Sequence, residues 1–128
     1  MQKTLDISLN SDGLVVMSIS GDIMDPQMKS FSDSLAEGAE VIQNIYKKQG
    51  KKVKVLLDVS GFTGNYTPEA LSQLAVFAKN NRLFVEKSAS FGGSDKVKVA
   101  GELATALSGR ENIMLFDTKE EALAWLSS

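Results

Sequence analysis

The stretch VKVLLDVSGFTGNYTPEAL, residues 53–71, decides how the rest of the chain is interpreted. Its first part, residues 53–59, is almost continuously apolar and is typical of a strand buried on both faces of a parallel sheet. Glycines and polar residues dominate from Asp58 to Thr67, which predicts a loop at the carboxyl end of that strand. Thr67-Pro68 then predicts a helix start, with threonine as N-cap and proline in the first turn. A strand, a loop and a helix in this order indicate one unit of an α/β protein.

The flanking segments extend this unit into alternating strands and helices. Runs 4–9 and 14–20 surround Ser11-Asp12-Gly13 and predict a β-hairpin. Asp25-Pro26 predicts a helix with Asp25 as N-cap, and Gly50 is its expected end. The other expected elements are a helix from Pro68 to about Asn80, a strand at about 84–91, a helix from Asp95 to Ser108, a strand over 113–116, and a last helix opened by a capping box at 118–121. We therefore expect one α/β domain over residues 1–128, with a single mixed, mostly parallel sheet of about five strands and four helices.

Apolar residues at helical spacing predict which side of each helix is buried. The expected inner positions are Met28, Phe31, Leu35, Ile42 and Ile45 in the first helix, Leu71, Leu74, Ala75 and Ala78 in the second, Val99, Ala100, Leu103 and Leu107 in the third, and Leu123, Trp125 and Leu126 in the last.

The composition excludes several classes of function. The sequence contains no cysteine and no histidine, so disulfides, thiolate metal sites and Ser-His or Cys-His nucleophile pairs are ruled out. We expect no metal and no cofactor. The net charge of −2 gives no general attraction to nucleic acid, and no apolar run is long enough to span a bilayer or to serve as a secretory signal. These features predict a cytoplasmic domain that binds no nucleic acid.

Three stretches, VLLDVSGF (55–62), YTPEAL (66–71) and LFDTKEEALAWL (115–126), carry a family resemblance by their order and spacing. The chain resembles the SpoIIAA-like proteins, relatives of the STAS domains of anti-sigma-factor antagonists, over nearly its whole length. This resemblance implies a sheet of four or five strands packed with helices, in a non-catalytic regulatory or binding protein. Related folds of the CRAL-TRIO group bind lipids, which implies a small apolar ligand as an alternative.

The chain departs from the family at the phosphorylation switch. STAS domains end the central strand in an Asp-x-Ser-Gly-like segment, which Asp58-Val59-Ser60-Gly61 matches. Their phosphorylated serine lies further on, in an Asp-Ser-Ser-Gly at the start of the next helix, where this chain has Asn65-Tyr66-Thr67-Pro68. The switch is therefore not carried over, and Ser60 is expected to be a residue at the end of a strand.

Two loops are candidate binding sites. The first lies at the carboxyl end of the central strand, where open α/β sheets bind ligands, although its polar side chains are equally suited to satisfy their own backbone. Its candidate residues are Asp58, Ser60, Thr63, Asn65, Tyr66 and Thr67. The second is FGGSDKVK (91–98), in which Gly92, Gly93, Ser94 and Lys96 offer an anion-binding helix start. A simple strand–helix turn capped by Ser94 or Asp95 is the competing interpretation.

These observations leave three hypotheses on function. The first is a non-enzymatic regulatory module that binds another, unidentified protein through the surface around residues 60–67. The second is a carrier or sensor of a small apolar or lipid-like molecule held between helices and sheet. The third is an enzyme working through aspartate, tyrosine and lysine alone, and it has the least support. We also expect a homodimer, because STAS-like domains often self-associate and the first hairpin supplies an edge strand.

Overall fold

A computed structural model describes residues 4–10 and 13–128 of the chain. Within them the strands and helices follow the predicted order, with four helices and one mixed sheet of five strands. Their bounds are β1 Leu5–Leu9, β2 Val15–Ile23, α1 Met28–Gln49, β3 Val53–Tyr66, α2 Pro68–Asn80, β4 Val85–Phe91, α3 Asp95–Ser108, β5 Ile113–Phe116 and α4 Lys119–Ser127. None of the helices described is long and apolar enough to cross a membrane.

The strands lie in the order β1-β2-β3-β4-β5, so each pairs with its neighbours along the chain. β1 runs antiparallel to β2, with Leu5 opposite Ile19 and Leu9 opposite Val15, and the other pairs are parallel. The two strands of the expected hairpin are confirmed. Ser11 and Asp12 of its turn lie outside the described residues.

The sheet separates two apolar clusters, because successive side chains of a strand point to opposite faces. Val53 and Val55 of β3 join the larger cluster beneath the helices α1 and α2, in which Phe31 is fully buried. Leu56, the residue after Val55 in β3, joins the smaller cluster beneath α4. The helix α3 packs beside α2 on the first face, whereas α4 is the one helix that covers the second among the residues described. The buried positions expected in the first and last helices belong to these clusters, which confirms them.

The predicted loop from Asp58 to Thr67 is wrong, because β3 continues to Tyr66. The extra residues pair with the end of β2, Gly61 opposite Ser20 and Tyr66 opposite Ile23, across two shifts of register. Such bulges accommodate glycines and polar residues that locally resemble a turn. Ser60 accordingly lies inside β3 and not at a strand end.

The start of the first helix also differs from the prediction. Asp25 does not cap α1; it begins a short 3₁₀ turn, Asp25–Gln27, and α1 follows from Met28. The side chain of Gln27 closes this 3₁₀ turn, since its Oε1 accepts a hydrogen bond from the backbone N–H of Met24 at 2.9 Å, but it makes no capping hydrogen bond to α1. The other end matches the prediction, with Gly50 in the left-handed conformation at φ 70°.

The predicted inner face of the third helix is largely wrong. Val99, Leu103 and Leu107 of α3 are 62%, 45% and 57% exposed, and only Ala100 of that set is buried. The side that faces the sheet carries small residues, because α3 lies very close to β5. A Cβ on Gly101 would stand 2.6 Å from a methyl carbon of Leu115. The other buried residues of α3 are Val97, Ala104 and Ser108.

Candidate functional site

Polar side chains from three segments meet at the carboxyl end of β2 and β3. The hydroxyl of Thr63 donates a hydrogen bond to Oδ1 of Asp22 at 2.5 Å, and Nδ2 of Asn65 donates to the same oxygen at 3.1 Å. The ammonium of Lys96, in the first turn of α3, donates to Oδ1 of Asn65 at 2.7 Å. We call Asp22, Thr63, Asn65 and Lys96 the carboxyl-end network.

The network favours the ionised form of Asp22. The hydrogen bond from Thr63 is the main cause that lowers the pKa of this carboxyl below its ordinary value of 3.8, and the amide of Asn65 and the charge of Lys96 add to it, while desolvation opposes them. The network joins the carboxylate of Asp22 to the side chain of Lys96 through one amide, that of Asn65. Its members belong to β2, β3 and α3, so it links three elements of the fold.

Asp58 and Ser60 form a separate pair on the same strand. Oδ1 of Asp58 accepts hydrogen bonds from the backbone N–H of Ser60 at 2.9 Å and from its hydroxyl at 2.5 Å. Gly92 packs against this pair, since a Cβ there would stand 2.9 Å from Cβ of Ser60, and its φ of +85° also favours glycine. The pair is thus a local motif that supports the contact between β3 and the loop before α3.

The second candidate loop starts α3. Oγ of Ser94 accepts a hydrogen bond from the N–H of Val97 at 3.4 Å, which confirms Ser94 as the N-cap. Lys96 turns away to Asn65, and its aliphatic stem covers Gly64, where a Cβ would lie 3.1 Å from it. Anion binding at Gly92, Gly93, Ser94 and Lys96 stays a prediction.

Thr67 occupies the start of α2. Its hydroxyl accepts a hydrogen bond from the N–H of Ala70 at 3.0 Å, which confirms the predicted N-cap. Its own backbone N–H donates to the carbonyl of Ile23 at 3.1 Å and ties the start of the helix to β2. The preceding Tyr66 is half-buried and lies with its ring centroid 6.4 Å from that of Phe62.

A family model described as SpoIIAA-like matches residues 14–127. The chain belongs to the SpoIIAA-like family. It is similar to the crystal structure of an uncharacterised protein of the DUF3478 family with a SpoIIAA-like fold from Shewanella loihica PV-4, with a TM-score of 0.62 and 15% identity, covering 95% of this chain and 91% of that one. It is equally similar to the anti-sigma factor antagonist SpoIIAA in its unphosphorylated form, with a TM-score of 0.62 and 10% identity, covering 97% of this chain and 98% of that one. No curated protein gives a significant match. These likenesses confirm the predicted fold.

In this SpoIIAA-like chain the predicted residues do not form one site. Thr63 and Asn65 enter the carboxyl-end network, Asp58 and Ser60 pair with each other, and Thr67 caps a helix. Sequence reasoning missed Asp22, which comes from the neighbouring strand. The available signal was the alternating order of strands and helices, since parallel neighbours bring their carboxyl ends to one edge of the sheet.

The surface around the network is a shallow depression. Met24, Tyr66 and Pro68 line it together with most of the network, and Met24 is exposed. Sites for small molecules are normally enclosed and mostly apolar, whereas protein contacts combine an apolar patch with a polar rim. The depression combines the exposed apolar side chain of Met24 with the charged side chains of Asp22 and Lys96.

This SpoIIAA-like fold also contains two apolar, partly open cavities between the sheet and the helices α2 and α3. Their volumes are about 60 Å³, next to Phe62 and Tyr66, and about 110 Å³, next to Asn81 and Arg110. The residues that line both are Ile19, Leu57, Leu74, Ser90, Gly101 and Leu115. The two cavities are therefore neighbours separated by shared side chains.

Substitutions of the N-cap residue Thr67 are expected to lower the free energy of unfolding by different amounts. Thr67→Ala removes the acceptor for Ala70 N–H and should lower the free energy of unfolding by about 1 kcal/mol. Thr67→Asp should cost much less, because aspartate also caps and its charge suits a helix N-terminus. Urea unfolding followed by circular dichroism measures both, with Thr67→Ser as the control that retains the hydroxyl. An alanine variant as stable as the serine variant would contradict the capping role.

Proposed function

We propose that this chain is a non-enzymatic regulatory module that binds another protein through the carboxyl-end network and the adjoining start of α2. Membership of the SpoIIAA-like family supports a regulatory role, and the similar SpoIIAA structure is that of an anti-sigma factor antagonist. We further propose that residues 1–128 form one domain that acts in the cytoplasm, which the cysteine-free sequence favours.

The network itself is the observation that carries this proposal. Two opposite charges, Asp22 and Lys96, are held in place by hydrogen bonds through Asn65, next to the exposed apolar side chain of Met24. Preorganised groups lose little conformational entropy on binding, and opposite charges at fixed positions recognise a complementary partner.

An enzymatic role has little support at this surface. The hydroxyl of Ser60 donates to Asp58, and the sequence offers no histidine or cysteine to activate or replace it as a nucleophile. The surface is also shallow, whereas catalytic sites normally exclude water from the reacting groups.

Charge reversal at Lys96 tests the proposed surface. Affinity purification from the native host, followed by mass spectrometry, should recover one partner with the wild type, and calorimetry with that purified partner should show at least a tenfold loss for Lys96→Glu. Lys48→Glu is the matched control, because Lys48 is exposed in the last turn of α1, at the opposite end of that helix from the start that adjoins Thr67. Equal affinity of the Lys96 and Lys48 variants would place the interface elsewhere.

Self-association is proposed through the free edge of the sheet. β1 is an outermost strand, and no described residue pairs with its outer side. An exposed strand edge is a template for pairing with a second copy. Light scattering at high micromolar protein should give a molar mass of twice 13.8 kDa, and a mass of 13.8 kDa would exclude the dimer.

A second candidate function is the carrier or sensor of a small apolar molecule. The observation that favours it is the pair of neighbouring apolar cavities between the sheet and the helices α2 and α3. Native mass spectrometry of protein purified under gentle conditions, with extraction into organic solvent, should release a defined small molecule. Protein that shows only its polypeptide mass in repeated preparations would count against this function.

A further inference from the structure

The larger cavity contains an unsatisfied polar group. Asn81 is 2% exposed and lines this cavity, and its Oδ1 has no hydrogen-bond partner among the described residues. Its Nδ2 donates to the carbonyl of Phe77 at 2.8 Å. Rotating the amide by 180° would place its oxygen against that carbonyl oxygen, so the orientation of the amide is fixed. The atom without a partner is therefore Oδ1, a hydrogen-bond acceptor. Leaving a buried acceptor without a donor is costly, and such groups require an explanation.

A charged side chain, Arg110, lines the same cavity. Arg110 donates to Asn112 Oδ1 at 2.9 Å and to Ser88 Oγ at 3.0 Å, and it makes one long contact of 3.5 Å with the carbonyl of Ala78. No carboxylate pairs with it among the described residues. Burial lowers the pKa of its guanidinium to about 10, so it remains charged at neutral pH. With five N–H donors, it retains donors for a further acceptor.

These two groups lie at the same end of the cavity. Asn81 is anchored on the carbonyl of Phe77 and Arg110 reaches the carbonyl of the next residue, Ala78, both in the last turn of α2. The rest of the cavity is mainly apolar, with walls such as Ile42, Val55, Phe77, Ala104 and Leu115. A ligand for this space therefore has one polar end and an apolar body.

The volume of the cavity limits the size of the apolar part of this ligand. An apolar cavity of about 150 Å³ stays dry and holds one benzene molecule. The larger cavity, at about 110 Å³, approaches this size and adjoins the second cavity of about 60 Å³ across shared side chains. A single aromatic ring or a chain of a few carbons matches this space.

We propose that this cavity binds a small apolar molecule with one hydroxyl group, a phenol or a short alcohol, whose hydroxyl donates to Asn81 and accepts from Arg110. A hydroxyl is a donor and an acceptor at once, so it can donate to the unpaired Oδ1 of Asn81 and accept from a remaining N–H of Arg110. The inference rests on the second candidate function and names its ligand class. A bound water would satisfy the same two polar groups but would leave the apolar walls unfilled.

A pair of probes of equal size tests the polar anchor. Phenol and toluene differ by a hydroxyl in place of a methyl group. Titration of the intact protein, followed by ¹H–¹³C methyl spectra, should show phenol binding at least tenfold more tightly than toluene, because toluene leaves Oδ1 of Asn81 without a donor and offers no acceptor to Arg110. The methyl signals that shift should include those of Leu57, Leu74 and Leu115, which line the cavity.

Ala104→Leu tests the location. Ala104 lines the larger cavity from α3 and is 7% exposed, so a leucine there occupies the space and should abolish phenol binding. Leu103→Ala, on the exposed side of the same helix, is the control and should bind phenol like the wild type. Circular dichroism establishes that each variant is folded.

The outcomes separate the inference from the function on which it rests. Equal affinity for phenol and toluene would overturn the polar anchor and leave an apolar ligand function in place. No binding of either probe at millimolar concentration would overturn both. Phenol binding that persists in folded Ala104→Leu would show that the site lies elsewhere and would also overturn the inference.

Discussion

Deletion of residues 118–128, which removes α4, is expected to abolish cooperative unfolding of the whole chain. α4 is the only described helix on its face of the sheet, and it covers Leu56 and Ala89 with the buried side chains of Ala122 and Leu126. Without it these strand residues would face water, and the sheet would have one uncovered apolar face.

The expected loss is comparable to the stability of a small domain. Burying one large apolar side chain stabilises a protein by roughly 1.5–3 kcal/mol, and α4 contributes Leu126 together with the partly buried Leu123 and Trp125. The deletion also removes the contacts of Lys87, whose ammonium lies 4.9 Å from the ring centroid of Trp125 and donates to the Trp125 carbonyl at 3.0 Å. Domains of this size have a total stability of only about 5–15 kcal/mol.

Differential scanning calorimetry of a 1–117 fragment measures this effect. We expect no cooperative transition for the fragment and one sharp transition for the intact chain. Leu126→Ala is the graded control, since a single cavity should cost about 2–5 kcal/mol and leave a folded protein with a lower Tm. A fragment that melts cooperatively near the Tm of the intact chain would show that the first face alone sustains the fold.

The order of strands and helices was predictable because local signals agree with the final packing. Thr67, Ser94 and Thr118 each precede a helix and each hydroxyl accepts a backbone N–H, as short polar residues at such positions are expected to do. The apolar run from Val53 is long enough to identify a strand buried on both faces. These features depend on neighbours in the sequence, which a single sequence displays.

The wrong or missing predictions concern residues whose conformation depends on contacts with residues far away in the sequence. The end of β3 contains Gly61, Gly64 and Asn65, which locally favour a turn, but pairing with β2 extends the strand to Tyr66. Asp22, the carboxylate of the carboxyl-end network, is similarly 41 residues from its partner Thr63 along the chain. Neither the bulged register nor this contact has a signature in the local sequence.

The third helix illustrates a second kind of failure. α3 carries two adjacent apolar stripes, one of large residues and one of small residues, and periodicity does not tell which faces the sheet. The spacing between helix and sheet decides, since Gly101 lies against Leu115 without room for a Cβ. The large stripe, Val99, Leu103 and Leu107, therefore points to solvent.

Two leucine-to-alanine substitutions are expected to differ strongly for this reason. Leu35 in α1 is 6% exposed and belongs to the larger core cluster, whereas Leu107 in α3 is 57% exposed. Both occupy apolar positions of amphipathic helices, and sequence periodicity assigns both to a buried face. Leu35→Ala should lower the free energy of unfolding by about 2–5 kcal/mol, because it removes buried methyl groups and leaves a cavity.

Leu107→Ala should change that free energy by no more than about 0.5 kcal/mol, since a surface side chain loses little burial. Both substitutions introduce the best helix former, so helix propensity favours each variant by a similar small amount and cannot produce the difference. Urea unfolding of the two variants measures the contrast directly, and equal m-values for both variants would show that the same two-state transition is compared.

Equal destabilisation would mean that α3 presents its large apolar stripe to a protein surface in solution, either the sheet or a second copy. Concentration dependence of the Leu107→Ala effect then separates these two explanations, because only contact with a second copy depends on protein concentration.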